Sequence, residues 1–167
     1  MLQQTKRFLF IYITFLCATT VLAQENEVIQ KNLPKEIQLN NDKTVKLTDL
    51  KGKVVLLDFW YRGCFPCLKA TPDLITMQEE FKDNLVIIGI NDMDTKEDIT
   101  DYYVYKKGNY FSTYKTKMNI SKNLKVSAFP TFVIINQKGE VVKTEVGFDK
   151  GSIRKTIKNL IKENSKS

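Results

Sequence analysis

"DFWYRGCFPCLKATP", residues 58–72, decides how this chain is read. Cys64 and Cys67 stand two residues apart, directly after an apolar run, in a chain with only three cysteines. The run before them, "KVVLLDF" (53–59), is short and dense in Val and Leu, the composition of a strand buried on both faces. The stretch after them, "LKATPDLITMQEEFKD" (68–83), brings Leu68, Leu74, Ile75, Met77 and Phe81 back at roughly helical spacing. A strand over 53–59, a helix over 64–82 and a second strand over 85–91 are predicted, with the cysteines at the first strand-to-helix junction. A helix N-terminus offers free N–H groups and the positive end of the macrodipole, and both stabilise a thiolate. Pro66 suits the first helical turn, where a missing N–H costs nothing. Pro72 is predicted to kink the helix.

The 167 residues amount to one domain, with an ordinary apolar fraction of 43%. The net charge is +7. The lysines are scattered through the chain and mostly stand among acids, which is read as a solvated, mildly basic surface and not a nucleic-acid patch. The N-terminus is more specific. Lys6 and Arg7 precede "FLFIYITFLCATTVLA", and Val21 and Ala23 fit the small-residue rule for cleavage before Gln24. A basic start, an apolar run and a small-residue site make residues 1–23 a signal peptide. The run is shorter than the roughly 20 apolar residues of a membrane span, so an uncleaved anchor is the second reading. Leu16 ahead of Cys17 is the wrong residue for a lipoprotein cleavage site. Cleavage leaves Cys64 and Cys67 as the only cysteines, outside the cytosol, where disulfides persist.

The possible uses of the pair then narrow. Zinc needs four ligands, normally Cys and His; the chain has no His, and no metal site is expected. Haem attachment needs C-x-x-C-H, and Leu68 replaces the His. A structural disulfide across two residues would restrain the unfolded chain little. Thiol-disulfide exchange wants this spacing, because one sulfur attacks and the other waits to resolve the mixed disulfide. No cofactor is called for. Asp58 sits inside the apolar run, and buried acids are rare without a purpose.

The stretch resembles thioredoxin-like proteins, and most closely the extracytoplasmic TlpA/ResA-like thiol-disulfide oxidoreductases. Asp58 stands six residues before Cys64, where that family has a buried acid, and Phe59 and Trp60 follow it as in the family. Pro72 stands five after Cys67, at the family's helix kink. "SAFPTFVII" (127–135) resembles its cis-proline signature, which makes Phe129–Pro130 the expected cis bond. "TFVIINQKGEVV" and "GFDKGSIRKTI" match its closing strands and last helix. The resemblance spans about residues 34–163. It implies an α/β thioredoxin fold: a central mixed β-sheet flanked by helices, with an N-terminal β-hairpin turning at Asn41-Asp42 and a helical insertion before the cis-Pro strand. Residues 24–33 are expected to be a flexible leader, and 34–165 the thioredoxin-like domain.

The same resemblance implies the roles. Cys64 would be the nucleophile, Cys67 the resolving thiol and Asp58 the acceptor of its proton; burial should raise the Asp58 pKa. Phe129, Pro130, Trp60 and Gly63 would face the substrate, although core packing is an equal reading for Trp60. Partners would be protein disulfides, apocytochrome c among them, and a membrane thiol donor of the DsbD/CcdA kind, with electron flow in the reducing direction. There are departures. Gly63 replaces the family's usual Trp and is expected to leave Cys64 more open. "LVIIGI" (85–90) lacks the lysine that accompanies the buried acid, and Phe65 replaces an acidic residue between the cysteines.

Two other functions remain beside this one. The fold could serve as an extracytoplasmic docking module with its cysteines kept oxidised. A peroxiredoxin-type peroxidase would need Thr or Ser three residues before the reactive Cys, where Tyr61 stands. In the insertion at 95–125, Tyr102, Val104 and Tyr105 are expected to pack on the core, the alternative being a partner groove. Asp92, Asp94 and Asp98 do not make a calcium loop, since Lys96 and Glu97 occupy the positions of a ligand and the required Gly.

Overall fold

Every residue of β3 (Val54–Phe59) is buried, as a strand covered on both faces must be. The computed structural model describes residue 24 and residues 26–164; the expected signal peptide at 1–23 lies outside the described residues. β3 is the centre of a five-stranded sheet of order β5-β4-β3-β6-β7. β4 (Leu85–Ile90) runs parallel to it and β6 (Thr131–Ile135) antiparallel. β7 (Val141–Val146) pairs antiparallel with β6, and the short edge strand β5 (Phe111–Ser112) pairs parallel with β4. The sheet is mixed, as expected.

Alternation along β3 divides the core into two layers. Val54 and Leu56 join α2 (Phe65–Glu80), α3 (Lys96–Lys106) and α5 (Lys150–Asn164) in one layer, through Ala70, Leu74, Met77, Ile99, Ile153 and Ile157. Val55, Leu57 and Phe59 face the other layer, with Ile37, Leu39, Ile120 and Leu124. Asp58 falls in phase with Leu56 and so belongs to the α2 side. α2 buries Cys67, Ala70, Leu74 and Met77, one stripe at helical spacing. The helix continues through Pro72.

The N-terminal hairpin is present as β1 (Glu36–Gln38) and β2 (Thr44–Lys46). Its turn puts Asp42 at φ 65°, a left-handed conformation that Asp tolerates better than most residues. A flexible leader at 24–33 is not what the structure contains. Residues 26–32 form a helix, α1, and Ile29 is 2% exposed in the second core layer. Thr144 donates to the Asn26 side chain at 2.9 Å, and Gln30 receives the Val141 N–H at 2.5 Å. Ile29 is the only buried residue of this helix among the described residues, and a single buried position gives no periodic signal in the sequence.

α3 also corrects an expectation. Val104 and Tyr105 are 74% and 80% exposed, while Tyr103 is buried. The helix is phased by Ile99, so residues three and four further on, Tyr102 and Tyr103, turn inward. Val104 and Tyr105 lie off that stripe. α4 (Ile120–Asn123) completes the insertion, capped by the Asn119 side chain on the Lys122 N–H.

Candidate active site

The chain leaves β3 at Phe59, turns through 60–63 and enters α2 with Cys64 as its N-cap. Cys64 and Cys67 are joined in a disulfide. The Cys67 N–H donates to Cys64 Sγ at 3.3 Å, so one of the helix's free amides already points at that sulfur. Pro66 lies in the first turn, where it forfeits no helical hydrogen bond. Cys64 and Cys67 are 4% and 3% exposed. Exposure therefore does not tell the two sulfurs apart; their place on the helix does.

Gly63 does not leave Cys64 open. A Cβ at residue 63 would lie 2.8 Å from the Tyr61 ring, so Tyr61 occupies the space a larger residue would need. Phe129 packs edge-on against the same ring at 5.4 Å, and the Cys64 N–H donates to the Tyr61 carbonyl at 3.0 Å. The Phe129–Pro130 bond is cis. Phe129 is half-buried and Pro130 buried, and the Pro130 carbonyl accepts the Gly147 N–H at 2.8 Å.

Asp58 is 3% exposed. Burial pushes its carboxyl from 3.8 up to about 7, and a hydrogen bond from the Tyr110 side chain partly offsets the rise. Its register partners are Gly89 in β4 and Phe132 in β6, neither of them charged. Where the family often has a lysine, this chain packs tyrosines. Trp60, Tyr102, Tyr103 and Tyr110 form a continuous aromatic group, with ring centroids 5.0 Å apart for Trp60–Tyr102 and 5.1 Å for Tyr103–Tyr110. Burial holds the Tyr103 and Tyr110 hydroxyls well above the usual tyrosine range.

Trp60, expected to face the substrate, is 2% exposed. Its indole N–H donates to Ser112 Oγ at 3.0 Å, which places it under the site. Gly89 makes room for that bond: a Cβ there would lie 2.6 Å from Ser112 Oγ. Thr71 links the group to the helix, with its hydroxyl 2.8 Å from Tyr102 Oη and donating to the Cys67 carbonyl at 3.3 Å. Tyr61, Tyr103, Tyr110, Ser112 and Gly89 were not singled out from the sequence. Only the i, i+4 pair Ile99–Tyr103 could have pointed to any of them.

The acids at 92–98 are held in hydrogen bonds. Asp94 takes the Arg62 N–H and the Asn91 amide, both at 2.7 Å. Asp98 closes a capping box with Thr95 and pairs with Arg62. A cleft of about 570 Å³ lies beside Val55, Ile135 and the hairpin, at the opposite end of β3 from the cysteines. No helix among the described residues is long and apolar enough to cross a membrane.

A mixed sheet with helices on both faces and a dithiol couple at the head of the first core helix defines a thioredoxin-like protein. Residues 52–141 match the thioredoxin-like family, and the chain belongs to it. Within it, the chain is similar to thiol-disulfide oxidoreductases. ResA of Bacillus subtilis is 33% identical over 123 residues, 73% of this chain and 69% of that protein. Sporulation thiol-disulfide oxidoreductase A of the same organism is 27% identical over 153 residues, 86% of this chain and 91% of that one. Among solved structures, the exposed lipoprotein thioredoxin of Streptococcus pneumoniae superposes with a TM-score of 0.62 at 30% identity, over 75% of this chain and 98% of that one.

Proposed function

We propose that this chain reduces protein disulfides outside the cytoplasm, using Cys64 and Cys67 as a two-electron couple. The observation that carries the proposal is the Cys64–Cys67 disulfide at the N-cap of α2, on the face of the sheet that also holds Asp58. In the reduced protein the Cys64 thiolate attacks a partner disulfide. One partner sulfur leaves as a thiolate and a mixed disulfide forms. Cys67 gives its proton to Asp58 and attacks Cys64 Sγ. The second partner sulfur leaves, the partner gains two electrons, and Cys64–Cys67 becomes the disulfide. A carboxyl with a pKa of about 7 is suited to that transfer, since a base works best near the operating pH.

The N-terminal signal supports an extracytoplasmic location. A membrane thiol donor of the DsbD/CcdA kind would return the electrons, and apocytochrome c belongs to the substrates the resemblance implies. Phe129, Pro130 and Gly63 frame the approach to Cys64.

Two measurements test this. The Cys67→Ser protein should accumulate a mixed disulfide with its substrate and Cys64→Ser should not; the reverse pattern would exchange the two roles. The potential of the couple should lie near thioredoxin's, about −270 mV; a value near about −120 mV would make the protein an oxidant instead.

A further inference from the structure

The lysines are not mixed with acids everywhere. From Tyr102 to Gly139 the chain has seven Lys and no Asp or Glu. This stretch builds one wall of the active site. It runs through α4 into Phe129 and Pro130, and with the 91–94 loop it encloses a groove of about 410 Å³. The groove's apolar lining is Met93, Val126 and Phe129, and Lys122 and Lys125 stand at its edge. Phe129 links it to the cysteines: its ring packs on Tyr61, and the Tyr61 carbonyl accepts the Cys64 N–H. The Arg62 N–H, bonded to Asp94, ties the cysteine turn to the opposite wall.

Two carboxylates lie nearby, and each accepts hydrogen bonds from uncharged donors. Asp92 lines the groove, but one of its oxygens accepts both the Ser121 N–H and the Ser121 hydroxyl at 2.7 Å. Asp94 accepts the Arg62 backbone N–H and the Asn91 side-chain amide. Lys122 and Lys125 are exposed and form no ion pair among the described residues. Both walls are fixed in shape. Asn91 Oδ1 accepts the Met93 and Asp94 N–H groups at 3.0 and 2.9 Å. Lys125 sits at φ 58°, where its backbone turns α4 toward the cis-proline loop.

We propose that this groove selects protein substrates carrying an acidic, partly apolar segment next to the disulfide that Cys64 attacks. The assignment rests on the oxidoreductase function proposed above. An extended segment passing Phe129 would set apolar side chains on Met93 and Val126 and carboxylates beside Lys122 and Lys125. Charge complementarity of this kind acts mainly on the encounter rate and on the choice of partner.

The test uses the reduced full-length mature protein in single turnover, followed by the fluorescence of its one tryptophan, Trp60. Two disulfide-closed peptides share one loop and differ only in flanking residues, three Glu or three Lys. At low salt the wild type should oxidise about tenfold faster with the acidic peptide, the lower end of electrostatic steering. The ratio should fall toward one in 1 M salt, where the Debye length is about 3 Å. Lys122→Glu with Lys125→Glu should remove or invert it, and Lys122→Gln with Lys125→Gln should reduce it. A wild-type ratio of one, or a ratio that survives in both double variants, overturns the inference. A neutral reagent, hydroxyethyl disulfide, separates this from the broader reading. If it is reduced and the peptides are not discriminated, only the groove assignment fails. If neither it nor the peptides are reduced, the reductase function fails and takes the groove with it.

Discussion

The junction at 58–72 and the insertion at 95–125 meet around Asp58, and their residues came to be there in different ways. In the junction, place follows from the local chain. β3 alternates, so Asp58 faces the same layer as Leu56; α2 starts at a cysteine, so that sulfur receives a helix amide. In the insertion, place follows from distant packing. Tyr103 and Tyr105 are the same residue type two positions apart, yet one is buried and the other 80% exposed. The junction supplies the groups that react. The insertion supplies Tyr110, which bonds Asp58, and Ser112, which holds Trp60. The motif therefore carries the cysteine couple, and the insertion sets the surroundings of Asp58, on which its proposed part in the reaction depends.

Asp58→Asn sharpens the comparison most. The unfolded chain loses the Asp58 proton near 3.8 and the folded protein holds it until about 7. Burial of this group therefore leaves stability untouched at low pH and lowers it progressively as pH rises across that window, with the full loss present above about 7. The full loss corresponds to about 4 kcal/mol as an upper bound. An amide removes the buried charge, so Asp58→Asn should raise stability at pH 8 by up to about 4 kcal/mol and by little at pH 4. Resolution by Cys67 should slow more than attack by Cys64. Urea unfolding at pH 4, 6 and 8, with stopped-flow resolution of the two steps, reads both effects. A stability gain that does not change with pH would falsify the account of Asp58.

Gly89→Ala breaks the contact between the two regions. The new Cβ would lie 2.6 Å from Ser112 Oγ and 2.8 Å from Trp60 Nε1. Overpacking of this kind costs about 1–3 kcal/mol, and tryptophan emission should shift as the indole loses its partner. Unchanged stability and emission would mean that the two-residue strand β5 gives way freely.

Much of this was legible in the sequence, for identifiable reasons. β3 and α2 carry clear apolar patterns, so the strand-to-helix junction is legible in the residues themselves; the cis bond at Pro130, the closing hairpin and the place of Asp58 followed from the resemblance to thioredoxin-like proteins. The environment of Asp58 was legible in neither. "LVIIGI" showed that a lysine was absent; nothing local showed that Tyr103 and Tyr110 filled the space, because they reach it through a helix and an edge strand. α1 was missed for a related reason: Ile29 is its one fully buried apolar residue, and one residue has no period. The exposure of Cys64 failed because Tyr61, two residues before the glycine, covers what Gly63 was expected to leave open.

Tyr110→Phe tests whether the insertion tunes the junction or only packs against it. The hydroxyl bonds the Asp58 carboxyl and holds its pKa lower than burial alone would. Its removal should move the Asp58 pKa further up, and with it the pH at which resolution becomes fast. Stability at pH 8 should fall by about 1.5–3 kcal/mol, the scale of a hydrogen bond to a charged group. At pH 4, with Asp58 protonated in the folded protein, the loss should be smaller. The pH profile of resolution is the decisive readout. If it stays in place while stability drops equally at both pH values, Tyr110 is a packing residue and no more.

Tyr105→Ala carries the smallest expected effect and bears on the helical phase. Tyr105 is 80% exposed, and the one contact found for its ring is Lys106 Nζ at 5.3 Å. An exposed cation–π pair contributes about 0.5 kcal/mol, and alanine favours helix slightly. The two nearly cancel, so stability should stay within about 0.5 kcal/mol of wild type. Tyr103→Ala, on the inward stripe with Ile99, should instead cost several-fold more, because large buried side chains lose about 3–5 kcal/mol on truncation. Urea unfolding of both variants gives the contrast directly. Similar losses at the two positions would mean that α3 is rotated from the phase set by Ile99, and the aromatic group beneath the cysteines would then have to be assigned to other side chains.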